Sequence, residues 1–183
     1  MNTARIHTRR LDLVPATAEI LAADLHDHME LARLLDAQVP EAWPPSEVND
    51  EVLTEFLRME TEKTDQFFAC WDWVLEHPEM TGRILIGSGG IGSALGAPGS
   101  VMIGYSVLEE HQNRGYATEA VGGITGAVFS DPRITRILAT TFPELKASIR
   151  VLEKVEFSCT GPTSPGKGLG EGTLGFVLEK TAI

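Results

Sequence analysis

Residues 111–120 read HQNRGYATEA and stand between an apolar run and an amphipathic stretch. Gly115 lets the backbone come close to an anion, because glycine adopts conformations that other residues avoid. A helix that begins here directs several unpaired N–H groups the same way, and its dipole favours negative charge at that end. The segment therefore predicts a binding site for a diphosphate.

Three residues of this segment have a spacing that resembles the acyl-CoA loop of the GNAT superfamily of N-acetyltransferases. The family pattern is Gln or Arg, two residues, Gly, one residue, then Gly or Ala. Gln112, Gly115 and Ala117 match that pattern. The resemblance implies that the diphosphate is the pyrophosphate of acetyl-CoA, which serves as the acyl donor.

The segments around the loop look like the Rim-type branch of the superfamily, which includes enzymes that acetylate protein N-termini. The close match covers residues 101–160, and a looser one extends to the N-terminus. The matching flanks are IGY at 103–105, ASIRVLEK at 147–154, Phe157, TRRL at 8–11 and AWPP at 42–45.

Length and composition favour one globular domain over residues 1–183. With 43% hydrophobic and 22% charged residues in 183, the chain has enough apolar side chains for a sizeable core. No apolar run approaches the roughly 20 residues that cross a bilayer, and no signal-peptide core follows Met1. Two cysteines without a metal-ligand pattern favour reduced thiols. A cytoplasmic protein is expected.

The net charge of −11 argues against nucleic acid as a partner, because binding it needs basic patches. Residues 1–90 hold 17 acidic and 7 basic side chains, whereas residues 91–183 hold 9 and 8. A GNAT-like arrangement implies that the anionic cofactor lies against Arg114, Lys146 and Arg150. The acidic N-terminal half then attracts a cationic amine; alternatively, it only keeps the protein soluble.

Hydrophobic periodicity predicts strand, two helices, three strands, helix, strand, helix and two strands. This is the element order of the GNAT fold, an α/β fold whose central mixed, mostly antiparallel sheet is flanked by helices. The predicted segments are strand 10–14, a helix 18–35 capped by Thr17, a helix capped by Ser46, strands 67–75, 83–87 and 101–108, helix 116–129, strand 134–141, helix 146–155, a mobile loop 161–172 and strand 173–179.

The glycine-rich run from Gly87 to Gly92 fits the dinucleotide-binding pattern G-x-G-x-x-G. That pattern requires a helix directly after the glycines. Gly96, Pro98 and Gly99 interrupt any helix there. A bulged strand and hairpin within a turn-rich connection, 87–100, is therefore the favoured interpretation, and an NAD-dependent enzyme is a distant alternative.

Amine acylation by a thioester requires an anchored carrier, support for the oxyanion, a base and an acid. The backbone from Gln112 to Ala117 is the predicted anchor, and the Thr118 hydroxyl adds to it. The resemblance implies that the pantetheine arm pairs with the end of the preceding strand, where a backbone N–H faces the thioester oxygen. The cofactor-binding residues predicted in this way are Val107, Leu108, Glu109, Gln112, Asn113, Arg114, Gly115, Tyr116, Ala117, Thr118, Lys146 and Arg150.

Three residues at the start of the loop, Glu109, Glu110 and His111, are candidate bases. Glu110 is favoured because glutamate is common at this position in the Rim-like branch; solvated loop residues, with a water chain as the base, are the alternative. For the acid, the resemblance puts Ser148 beside the cofactor sulfur. Much of the superfamily has tyrosine four residues further on, where this chain has Leu152.

Two residues depart from the branch pattern. Leu145 stands where the branch usually has an Asn that orients the helix beside pantetheine, and Glu156 stands where it has Gly. A side chain in a conformation of positive φ costs about 1 kcal/mol. These departures suggest an alternative function, a catalytically weak acyl-CoA-binding module.

Trp43 is the predicted acceptor-site residue, because the loop between the first two helices shapes acceptor specificity in the family. No metal site is predicted, since His26 and His28 face different sides of a helix. The favoured function is transfer of an acetyl group from acetyl-CoA to a primary amine by direct attack in a ternary complex. The acceptor, a protein N-terminus or a small amine, stays open, as does the oligomeric state, although dimers are common in the family.

Overall fold

The computed structural model describes residues 3–76, 82–163 and 172–181. These residues form one eight-stranded sheet with the strand order β1-β2-β3-β4-β5-β6-β8-β7. The strands are β1 (Ile6–His7), β2 (Leu11–Pro15), β3 (Ala69–Leu75), β4 (Ile84–Ser93), β5 (Ser100–Val107), β6 (Arg136–Thr141), β7 (Ser158–Pro162) and β8 (Leu174–Glu179). The helices are α1 (Ala18–His26), α2 (His28–Leu35), α3 (Asp50–Glu62), α4 (Tyr116–Val128) and α5 (Lys146–Lys154).

Two hydrophobic cores cover the two faces of the sheet. One contains the apolar residues of α4 and α5, and the other contains those of α1, α2 and α3. The side chains of β3 alternate between them: Trp71 and Trp73 pack in the first core, and Cys70 and Val74 pack in the second. The α/β class and mostly antiparallel sheet predicted from the sequence are confirmed.

The N-terminal helical region differs from its prediction at two caps. Thr17 caps α1 as expected, with its hydroxyl accepting a hydrogen bond from Ile20 N. The predicted single helix 18–35 is divided, however, because the Asp27 carboxylate accepts from two backbone N–H groups and starts α2. The cap of α3 is Asn49 rather than Ser46.

The glycine-rich run is strand as far as Ser93. The prediction of a connection between strands is therefore wrong for this part, and the prediction of a bulged strand is correct. A side chain at Gly89 would lie 2.7 Å from the Trp73 ring and 3.1 Å from the Gly104 carbonyl oxygen. These glycines therefore allow close packing of β4 against its neighbours. They begin no helix and do not form a dinucleotide loop.

The sheet opens between β5 and β6, the one parallel pair among its described strands. Pairing covers only Ser100 to Met102 against Arg136 to Leu138. Both strands continue beyond this point without pairing to each other. We call the space between residues 103–107 and 139–141 the gap. It leaves backbone groups at the edge of β5 available to an extended ligand.

Both departures from the branch pattern have structural counterparts. Leu145 is the N-cap of α5, makes no capping hydrogen bond and is 50% exposed. Glu156 has φ of 69°, so it holds a conformation that favours glycine. Most of the loop predicted at 161–172 lies outside the described residues, although Gly161 and Pro162 belong to β7. None of the helices within the described ranges has the length and apolar character needed to cross a membrane.

A buried carboxyl lies in the second core. Asp72 of β3 is 3% exposed, and its Oδ2 atom has no hydrogen-bond partner among the described residues. Burial raises the pKa of Asp72 well above its ordinary value, and the negative charge of Asp24 raises it further. The folded protein therefore holds a proton on this carboxyl over a pH range in which the unfolded chain releases it.

We expect Asp72→Asn to stabilise the protein increasingly as pH rises. Because the folded-state pKa of Asp72 is raised, burying this carboxyl costs nothing below its unfolded pKa of about 3.9. Above that pH the cost grows by about 1.4 kcal/mol for each pH unit, up to the raised folded-state pKa. Urea unfolding at pH 5 and pH 8 measures the difference. Asp36→Asn, at an exposed position, is the control and should show no such pH-dependent gain. Equal stability of Asp72→Asn and wild type at pH 8 would contradict the account.

Candidate active site

The anion loop, residues 112–117, has the conformation that its glycine predicted. A short 3-10 helix (Glu109–His111) precedes the loop, and α4 follows it. Asn113 has φ of 59° and Gly115 has φ of 81°. In the part of the chain that the structure describes, the amides of residues 113–118 donate to no backbone carbonyl. The loop and the first turn of α4 therefore present free N–H groups, which suit a phosphate.

The end of β5 offers one backbone donor toward the gap. Leu108 N donates to the Ile86 carbonyl of β4 at 2.9 Å, so it is unavailable to a ligand, and the Leu108 side chain is buried. Because bonded and non-bonded pairs alternate in an antiparallel ladder, the N–H of Val107 faces away from β4. The Val107 carbonyl oxygen accepts a hydrogen bond from the Gln112 side chain at 3.0 Å. Of the predicted strand-end residues, Val107 fits an oxyanion donor and Leu108 does not.

An ion pair under the anion loop was missed by the sequence analysis. Arg10 donates to the Arg114 carbonyl at 3.1 Å, and its guanidinium lies 4.5 Å from the centre of the Tyr116 ring. Glu119 accepts from Arg10 Nε at 2.7 Å, from Arg10 N at 2.6 Å and from the Thr8 hydroxyl at 2.6 Å. Arg10 is thus a positioning residue for the loop. No local pattern indicates it, because more than 100 residues separate the partners.

Glu119→Gln should loosen the anion loop and lower stability. Burial raises the pKa of Glu119, but the hydrogen bonds from Thr8 and Arg10 outweigh burial and leave it below its ordinary value. This carboxylate therefore stabilises the fold above the unfolded pKa of about 4.3, and the contribution is lost as pH falls through the lower folded pKa.

At pH 7 we expect the variant to lose about 1.5–3 kcal/mol of unfolding free energy, the usual range for a hydrogen bond to a charged group. Acetyl-CoA affinity should fall with it. Chemical unfolding and calorimetric titration measure the two effects, with Glu153→Gln on the exposed side of α5 as the control. An unchanged affinity would show that Arg10 does not support the loop.

Ser148 has a hydroxyl neighbour that the sequence analysis did not anticipate. The Tyr105 hydroxyl of β5 lies 3.2 Å from Ser148 Oγ and donates to the Ser148 carbonyl at 3.3 Å. Tyr105 stacks on Trp73, and burial raises the pKa of its phenol, so the phenol keeps its proton. Two hydroxyls therefore lie together between β5 and α5. Leu152 is in the core.

Two of the three candidate bases, Glu109 and Glu110, are exposed, whereas the side chain of His111 is largely buried. The Glu110 side chain is 62% exposed, with Oε1 3.6 Å from His111 Nε2. Burial lowers the pKa of His111, and Arg114 adds to this effect while Glu110 opposes it. The imidazole is therefore neutral at pH 7. Its buried Nδ1 has no hydrogen-bond partner among the described residues.

The predicted cationic side chains, Arg114, Lys146 and Arg150, are exposed and have no ion-pair partner among the described residues. Lys146 and Arg150 are on α5, and Arg114 is in the loop itself. Thr118 is half-buried in the first turn of α4.

A cavity of about 480 Å³ lies on the opposite face of the sheet, between α3 and strands β4 and β5. Its walls are apolar, and Gly90 lies opposite Gly104 in its floor. Trp43 is not among the lining residues. It is 5% exposed, and its indole N–H donates to Asp24 at 2.6 Å in the second core. This position gives the predicted acceptor role of Trp43 no support.

One group of possible metal ligands, His7, Asp12 and Glu76, lies at the other end of the sheet. The Arg83 guanidinium binds both of its carboxylates, and Arg5 and His7 approach Asp12 within 3.4 Å. The chemistry of this cluster is therefore ion pairing.

Comparison with known proteins identifies the class of this chain. Residues 10–158 match the family model for the acetyltransferase (GNAT) domain. The chain therefore belongs to the GNAT family of acetyltransferases, and the enzyme class predicted from the sequence, an N-acetyltransferase, is confirmed. No curated protein matches it in sequence.

Solved structures share the fold at low sequence identity. A ribosomal-protein-S5-alanine acetyltransferase from Vibrio fischeri has a TM-score of 0.65 at 15% identity, with 96% of each chain covered. Mycobacterium smegmatis RimJ, solved with CoA-disulfide, has a TM-score of 0.62 at 22% identity, covering 97% of this chain and 88% of its own. AAC(6')-Ib with ribostamycin and coenzyme A has a TM-score of 0.62 at 17% identity, with 93% and 94% covered.

Proposed function

We propose that this chain transfers the acetyl group of acetyl-CoA to a primary amine by direct attack. The observation that carries the proposal is the anion loop with its free N–H groups, which adjoins a strand whose edge is open to the gap. In this arrangement the loop and Thr118 bind the pyrophosphate, with Arg114, Lys146 and Arg150 adding positive charge. The pantetheine arm lies along β5 in the gap.

Acyl transfer then proceeds without a covalent enzyme intermediate. The amine nitrogen attacks the thioester carbonyl carbon, and the N–H of Val107 stabilises the negative charge on the carbonyl oxygen. The carbon–sulfur bond breaks, and the leaving thiolate takes a proton from the paired hydroxyls of Ser148 and Tyr105. The amine gives up its proton to Glu110, directly or through water.

The acceptor is an amine of either of two sources. The sequence resemblance to the Rim-type branch favours a protein N-terminus, and three of the similar structures are named for ribosomal-protein acetylation. Another similar structure, AAC(6')-Ib, holds ribostamycin, which is a small molecule.

A catalytically weak acyl-CoA-binding module is the second candidate. It is supported by the uncapped Leu145 at the start of α5 and by the positive φ of Glu156. The two residues flank α5, the helix that carries Ser148. Such a module would bind acetyl-CoA without turnover.

Release of free coenzyme A thiol in the presence of amines distinguishes the two candidates. The panel should contain arylalkylamines, polyamines and peptides with a free N-terminus, and mass spectrometry should find one added acetyl group in the product. Turnover above the rate of hydrolysis with any of these amines supports the enzyme. Tight acetyl-CoA binding without an acetylated product across the panel would favour the binding module.

A further inference from the structure

An exposed carboxylate, that of Glu47, is among the groups that line the cavity between α3 and strands β4 and β5. Glu47 Oε2 accepts a hydrogen bond from the Ser106 hydroxyl at 2.5 Å, although 59 residues separate the two in sequence. Both residues line the cavity. No Lys or Arg of the described residues contacts Glu47, so its charge is not neutralised within the chain.

The hydrogen bond keeps Glu47 charged. It lowers the pKa of the carboxyl below its ordinary value, with burial opposing the effect. A carboxylate of lowered pKa is a poor proton acceptor but a good counter-ion. Glu47 therefore suits the binding of a cation better than the removal of a proton.

Most of the remaining surface of the cavity is apolar. Val52, Phe56 and Met59 of α3 line it, together with Phe68 and with Met102 of β5. Gly90 and Gly104 leave the floor without side chains, and a side chain added at Gly104 would meet no atom within 4 Å. The space at the floor is therefore open to a ligand. The volume of about 480 Å³ suits a small molecule or the end of a peptide.

The cavity adjoins the reaction centre of the proposed function. Ser106 directly precedes Val107, whose N–H faces the gap, and adjacent residues of a strand are about 3.4 Å apart along its axis. A cation on Glu47 is thus brought to the thioester end of the gap from the other face of the sheet. The cavity and the gap meet at the end of β5.

We propose that Glu47 binds the acceptor as its ammonium ion, which releases one proton to water before the neutral amine attacks, and that the cavity takes a primary amine attached to a compact apolar group. This inference rests on the proposed function, and it names the acceptor class that the proposed function leaves open. Glu47, aligned by Ser106, is a specificity residue. The apolar walls exclude polycationic acceptors, whose second charge would lose its hydration there.

Calorimetric binding of amines to the protein saturated with coenzyme A tests the proposal without turnover. We expect 2-phenylethylamine to bind more tightly than spermidine. Glu47→Gln should weaken its binding by about 10- to 100-fold, the effect of losing one charge-assisted hydrogen bond. Ser106→Ala should weaken it less, because the carboxylate remains but is no longer held. Glu51→Gln on the exposed surface of α3 removes the same charge and should have no effect.

Gly104→Val provides a second variant that does not depend on charge. It fills the floor of the cavity in a strand position that accepts branched side chains. We expect it to abolish amine binding while the unfolding temperature stays at its wild-type value. A peptide that begins with phenylalanine, compared with 2-phenylethylamine, distinguishes a chain N-terminus from a free amine, and binding of either supports the proposal.

The proposal is overturned if neither apolar amine binds, if spermidine binds more tightly than both, or if Glu47→Gln binds as wild type does. Acetyl-CoA affinity, measured on the same samples, shows whether the acceptor proposal fails alone or together with the proposed function. Intact acetyl-CoA binding with no effect at Glu47 would reject only the acceptor class. Absence of acetyl-CoA binding would reject the proposed function as well.

Discussion

Gly115→Val should lower the affinity for acetyl-CoA by at least about 100-fold, equivalent to about 2.7 kcal/mol. Gly115 has φ of 81° directly before α4, a conformation that costs a residue with a side chain about 1–2 kcal/mol. A branched residue would force the backbone to turn, and the N–H groups of the anion loop would no longer converge on one anion. Isothermal titration with acetyl-CoA measures the loss.

The same helix offers a matched control for this substitution. Gly122 is exposed on α4, and a side chain added there would meet no atom within 4 Å. Gly122→Val changes the same pair of residue types without touching the loop, so it should keep wild-type affinity. If Gly115→Val also keeps it while remaining folded, the anion loop does not bind the cofactor.

Removing both hydroxyls between β5 and α5 should reduce kcat by about 100-fold, the lower end of the usual range for a general acid. The lower end is expected because a thiolate leaves readily, with a thiol pKa of about 8.5. Ser148→Ala and Tyr105→Phe alone should each reduce kcat by about tenfold or less. Either hydroxyl can replace the other, since they lie 3.2 Å apart.

Steady-state rates at saturating substrate for the two single variants and the double variant measure this effect. The KM for acetyl-CoA should change much less than kcat, since the hydroxyls act on the leaving thiolate rather than on the pyrophosphate. Ser158→Ala, at an exposed position of β7, is the control. A double variant with wild-type kcat would show that the thiolate takes its proton from solvent.

The local parts of the site could be predicted from the sequence. Gly115 and the apolar periodicity after it indicate a loop followed by a helix, and α4 begins at Tyr116. The positive φ suspected at Glu156 is present. These features depend on conformational preferences within a few residues, which the sequence expresses directly.

The parts that depend on contacts between distant segments could not be predicted. Arg10 and Glu119 are 109 residues apart, and although each lies in a segment that resembles the family, neither segment indicates that the two side chains pair. The glycines of β4 indicated a turn-rich segment because the close approach of Trp73 is a property of the packed sheet. Trp43 appeared suited to an acceptor loop, but its indole binds the buried Asp24. In each case tertiary packing decides what the local pattern leaves open.

The acceptor side of the site illustrates the same limit. Glu47 is one of 17 acidic residues in the first 90, and only its hydrogen bond to Ser106 distinguishes it from the others. The negative charge of the N-terminal half suggested a cationic partner, but it did not indicate the binding position. The fold brings one of these carboxylates to an apolar cavity beside the end of β5.

Thermal unfolding with and without excess acetyl-CoA tests the central claim most directly, with NAD as the control ligand. A ligand that binds only the folded state adds about 2.7 kcal/mol of stability at 100 times its Kd. The account predicts a clear rise in Tm with acetyl-CoA and none with NAD, and a much smaller rise with acetyl-CoA for Gly115→Val. A wild-type Tm that acetyl-CoA leaves unchanged, or that NAD raises equally, would contradict it.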